Sequence, residues 1–67
     1  MPLVRIDMWS GRGREVKDAL IRNVTKAVVD AVGCPVDAVE VLITELDKAD
    51  WARGGVSYAQ RDSPKRP

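Results

Sequence analysis

The hydrophobic period of this chain changes twice, and that double change limits its fold more than any other feature. From Leu3 to Trp9 (LVRIDMW) the side chains alternate. Val4, Ile6 and Met8 fall on one side and Leu3, Arg5, Asp7 and Trp9 on the other, the pattern of a strand with one apolar face. From Arg14 to Val32 the period is helical: Val16, Leu20, Val24, Ala27, Val28 and Ala31 form one stripe, and Lys17, Asp18, Arg22, Lys26 and Asp30 lie mostly opposite. Asp18 and Arg22 have the acid-first spacing that favours an ion pair within the helix. Gly33, with Pro35 beyond it, predicts the helix stop. Alternation then returns from Val39 to Leu46 (VEVLITEL), with Val39, Val41 and Ile43 set against Glu40, Leu42 and Thr44. Strand, helix and strand in this order predict an α/β (α+β) fold built on a β-α-β unit with parallel strands and a right-handed crossover.

One helix covers one face of such a sheet. The other face carries Leu3, Trp9, Leu42 and Leu46, and no other segment is predicted to cover it, so the chain is expected to oligomerise through the sheet. Size supports this expectation, because a chain of 67 residues buries only about 60% of its unfolded surface. The other ways of stabilising so small a domain are absent. Cys34 is the single cysteine, so no internal disulfide can form, and without histidine or a cysteine set no metal site is expected. The lack of histidine also removes the usual neutral-pH base. Acid–base chemistry is left to carboxylates, Lys, Tyr, Cys34 or an N-terminal amine.

Eleven basic and ten acidic residues give a net charge of +1, which is no footprint for nucleic acid. No apolar run has the length of a membrane span and no signal peptide is visible, so a cytoplasmic protein with no membrane partner is expected. Gly11-Arg12-Gly13 lacks the Lys-Ser/Thr of a P-loop and the third glycine of a dinucleotide fingerprint. Past the second strand, Gly54-Gly55 predicts a short hairpin whose second arm spans Val56 to Tyr58. The expected organisation is one domain over 1–61 and a flexible tail over 62–67.

The chain opens MPLVRID. Taken alone, proline is merely tolerated at the first residue of a strand. Removal of Met1, usual before a small residue, would however leave Pro2 with a free secondary amine held by its ring and by the strand behind it. Pro2 also stands in a larger constellation: Gly11-Arg12 after the first strand, Ile43-Thr44-Glu45 ending the second, then Trp51 and Gly54-Gly55. In order and spacing this constellation closely resembles the 4-oxalocrotonate tautomerase family of the tautomerase superfamily, over Pro2 to about Arg61.

The resemblance implies a β-α-β protomer with a C-terminal hairpin, assembled as a hexamer with its dimers arranged about a threefold axis, and an isomerase without cofactor. Its substrate would be a small enol or unsaturated 2-oxo acid. Pro2 would be the general base and acid that moves a proton between the hydroxyl oxygen and a carbon of a dienol acid. Arg12 would hold the substrate carboxylate distant from the reacting enol, and Trp51 would form an apolar wall. Trp9 and Arg53 fall where aliphatic wall residues usually stand. One position departs from the pattern: a second arginine, which binds the carboxylate beside the reacting carbon, is replaced by Glu40, and a carboxylate repels an anion. The departure leaves two alternatives open. One is a hydratase or dehalogenase of the superfamily, with Pro2 as acid and a carboxylate activating water. The other is a non-catalytic subunit of a hetero-oligomer, so a homohexamer and a hetero-hexamer both stand. In either enzyme the proline amine must be less basic than usual to act at neutral pH, which partial burial and the charges of Arg12 and Arg53 would favour.

Overall fold

The structure is a computed structural model that describes residues 1–62; residues 63–67 of the expected tail lie outside the described residues. Strand β1 (Leu3–Trp9) leads through a glycine-containing loop into helix α1 (Arg14–Val32), and a 3-10 turn at Val36–Ala38 precedes strand β2 (Glu40–Leu46). A second 3-10 turn at Lys48–Asp50 leads into a hairpin of β3 (Ala52–Arg53) and β4 (Val56–Ser57), followed by the short helix α2 (Tyr58–Arg61). Strands β1 and β2 are parallel, in a register running from Leu3 opposite Glu40 to Trp9 opposite Leu46.

The ends of α1 follow local chemistry. Gly33 takes φ 82°, the left-handed conformation that a side chain would strain, and its N–H donates to the Val29 carbonyl at 2.8 Å. Asp18 does not pair with Arg22 as the spacing predicted. It accepts from Arg14 at 2.9 Å, while Arg22 lies along a groove with Ile21, Thr25, Val29 and Val36. The second strand begins at Glu40 and not at Val39, because the Val39 N–H closes the preceding 3-10 turn on the Val36 carbonyl at 3.1 Å.

The stripe of α1 that faces the sheet is also rotated from the predicted one. Lys17, Leu20, Ile21, Val24 and Val28 are half-covered, whereas Val16, Ala27 and Ala31 stay exposed. Ala19, Thr25 and Val29 are half-covered as well, so the covered row is broad. Lys17 belongs to that row and reaches Glu45 of β2 at 2.8 Å.

Among the described residues none is fully buried. The radius of gyration is 16.2 Å, against about 11 Å for a compact chain of this length. The open sheet face is uncovered at Leu3 (52% exposed) and Leu42 (46%). At its far end the prediction of an empty face fails: the Trp9 ring packs edge-on against Trp51 at 5.8 Å and tilted against Tyr58 at 5.1 Å, so the residues that flank the C-terminal hairpin cover it. Tyr58 itself starts α2 instead of extending the hairpin. Ser57 caps that helix, accepting from the Gln60 N–H at 3.2 Å, while its own N–H donates to Gln60 Oε1 at 3.3 Å.

Candidate active site

Pro2 stands at the head of β1, half-covered, with its carbonyl accepting the Glu40 N–H at 2.9 Å. The hydrogen bond extends the parallel ladder by one residue and fixes the proline backbone to β2. Glu40 is opposite Leu3 and its carboxylate is exposed. With Met1 attached, the Pro2 nitrogen belongs to a tertiary amide and has no basic lone pair. The chemistry expected of it requires removal of Met1.

The remaining candidates gather at the other end of the sheet. The Ser10 N–H donates to the Leu46 carbonyl at 2.9 Å and closes the ladder there. Gly11, at φ 121°, then turns the chain so that Arg12 points back, with Nη1 donating to the Trp9 carbonyl at 3.3 Å. Trp51 packs on Trp9, and its carbonyl accepts the Tyr58 N–H at 2.8 Å. Arg53, in β3, is exposed. Lys48 Nζ lies 4.6 Å from the centre of the Trp9 ring and 2.6 Å from Asp62 Oδ2. Trp9 Nε1 is buried without a hydrogen-bond acceptor.

Strand β1 rises about 3.3 Å per residue, so its two ends are about 20 Å apart. An arginine side chain does not span that distance. One chain therefore brings Trp9, Arg12, Trp51 and Arg53 to one end of the sheet and Pro2 with Glu40 to the other, and does not bring Pro2 and Arg12 together. Sequence reasoning missed Tyr58, Lys48 and Arg61 at the far end. The Ser-x-x-Gln run from Ser57 to Gln60 was the available signal, since it marks a helix start at Tyr58. Among the described residues no three His, Cys, Asp or Glu side chains gather to hold a metal ion, and no helix is long and apolar enough to cross a membrane.

The sequence and fold are similar to those of known proteins. The family model described as "Tautomerase enzyme" matches residues 2–61. The chain is 46% identical over 57 residues to the 2-hydroxymuconate tautomerase of Comamonas testosteroni, covering 85% of this chain and 90% of that protein. Among solved structures it is similar to a 4-oxalocrotonate tautomerase homologue of the tomaymycin biosynthetic pathway, with a TM-score of 0.87 at 37% identity over 96% of this chain and 100% of that one. It is also similar to a chain of the heterohexamer 4-oxalocrotonate tautomerase of Chloroflexus aurantiacus, with a TM-score of 0.84 at 37% identity over 90% of this chain and 97% of that one.

Proposed function

Because the chain belongs to the tautomerase family, whose relatives are isomerases, we propose that it is a cofactor-independent keto–enol tautomerase working through Pro2. With Met1 removed, the Pro2 nitrogen takes the proton of an enol hydroxyl. The oxygen's electrons form the carbonyl, the double bond shifts, and the ring nitrogen returns the proton to carbon. The nitrogen ends as it began, and nothing is oxidised or reduced. The substrate is a 2-hydroxydienoate or related enol acid.

The observation that supports this reading is the fixing of Pro2 at the head of β1 by the Glu40 N–H at 2.9 Å. The amine is held by backbone structure as well as by its own ring, which limits the motion a general base must lose in the transition state. The separation of Pro2 from Arg12 along β1 adds that a complete site takes at least two copies. The Pro2 end of one meets the Trp9, Arg12, Trp51 and Arg53 end of another, where Arg12 holds a carboxylate and Trp51 forms the apolar wall. A homohexamer provides such junctions. The Chloroflexus relative is a heterohexamer, and a hetero-hexamer here would let a partner supply the cation that Glu40 replaces.

Glu40 favours a second reading within the superfamily, because its backbone N–H is bonded to the Pro2 carbonyl and its side chain is a carboxylate where the family's pattern has an arginine. Such a pair could activate water for hydration or dehalogenation of an unsaturated acid. Incubating the Met1-free protein with phenylenolpyruvate and, separately, with 3-chloroacrylate decides between them. Ketonisation without chloride release is expected. Chloride release that disappears in Glu40→Gln would favour the second reading.

A further inference from the structure

The β3–β4 hairpin has few bonds of its own. Its two backbone pairs, Ala52 with Ser57 and Arg53 with Val56, are joined by Gly54 at φ 63° and Gly55 at φ 83°. A glycine pair suits that turn but loses more conformational freedom than any other residue type, and a two-stranded hairpin is marginal in water. Yet this hairpin follows Trp51 directly and carries Arg53.

One side chain beyond the hairpin ties both of its arms. Arg61 Nη2 donates to the Arg53 carbonyl at 2.7 Å, and Arg61 Nε donates to the Val56 carbonyl at 3.4 Å. The same guanidinium lies 5.8 Å from the centre of the Tyr58 ring, which in turn packs on Trp9. The Ser57–Gln60 capping box starts α2 and so sets the turn from which Arg61 reaches back, and Lys48 holds Asp62 at 2.6 Å just after it. A planar guanidinium with several fixed donors can bridge two carbonyls, whereas the ammonium of a lysine is a single point donor.

We propose that Arg61 is a positioning residue: by bridging the Arg53 and Val56 carbonyls it fixes the hairpin and thereby sets Arg53 and Trp51 against the substrate. The proposal rests on the tautomerase reading, and Arg61 itself touches no substrate. Its effect runs through the hairpin, so it falls on binding and leaves proton transfer at Pro2 little changed.

The test compares wild type, Arg61→Gln, Arg61→Lys, Arg53→Ala and the Arg61→Gln/Arg53→Ala double variant, all free of Met1. It reads KM and kcat for phenylenolpyruvate, with amide hydrogen exchange at Gly54 to Val56 as a second measurement. In Arg61→Gln, KM should rise about tenfold, the scale of a lost charge-assisted bond, with kcat within about threefold of wild type. Arg61→Lys should recover part of the loss, and exchange at the turn should quicken in the order wild type, Lys, Gln. In the Arg53→Ala background Arg61→Gln should add less than it does alone, because the two act through one element. An unchanged KM, or the same factor added with and without Arg53, overturns the proposal. Wild-type protein that converts no enol acid overturns the functional reading instead, and unchanged exchange at the turn then removes the hairpin role as well.

Discussion

The backbone N–H of Glu40 donates to the carbonyl of Pro2 at 2.9 Å, so the residue that replaces an expected arginine is tied to the residue expected to carry the chemistry. A dicarboxylate substrate needs a cation at each end, and position 40 offers an anion. Arg53 is the nearest substitute in kind, although it lies at the other end of the sheet and would have to come from another copy.

Substrate preference should therefore respond to both positions. A charge-assisted hydrogen bond contributes about 1.5–3 kcal/mol. Glu40→Arg should raise the ratio of kcat/KM for 2-hydroxymuconate to that for a monoacid enol by about tenfold to a hundredfold. Arg53→Ala should lower the same ratio. A ratio that moves in neither variant would place position 40 outside the pocket.

Assembly follows from burial. A chain with no fully buried residue among those described, and with Leu3 and Leu42 still about half exposed, has not yet closed a core. Sedimentation at micromolar concentration should find a particle of several chains, six on the family's pattern, and thermal stability should rise with protein concentration. A stable folded monomer would contradict this.

The Lys17–Glu45 ion pair should matter more than its surface counterparts. Its side chains are 17% and 30% exposed, against more than half for those of Arg14–Asp18 and Lys26–Asp30. Glu45→Gln leaves a largely covered ammonium with a weaker partner and should lower stability by about 1 kcal/mol, more than Asp30→Asn does. Denaturant melts of the two variants at equal protein concentration make the comparison, and equal midpoints would contradict it.

The alternation at β1 and β2 and the helical period at α1 were legible because each element has one dominant face, and Gly33 marks its stop by backbone conformation alone. The rotation of the α1 stripe was not legible. Val16, Ala27 and Ala31 are apolar yet exposed, whereas Lys17 is half-covered with its ammonium on Glu45 of β2, a contact that the helical period does not encode. Trp9 was read as lying on an open face because its cover, Trp51 and Tyr58, comes from a segment with almost no periodicity. The candidate residues could be named from order and spacing. Their division between the two ends of β1 depends on strand length, and it bears directly on how many chains make a site.

The most direct measurement compares kcat/KM for phenylenolpyruvate in wild type and Pro2→Ala, with mass spectra confirming that Met1 is absent from both. The variant keeps an N-terminal amine but loses the ring that fixes it and changes its basicity. The account predicts a fall of about a hundredfold or more, the scale of a lost general base. Undiminished activity in Pro2→Ala would contradict it and remove the proline nitrogen from the mechanism.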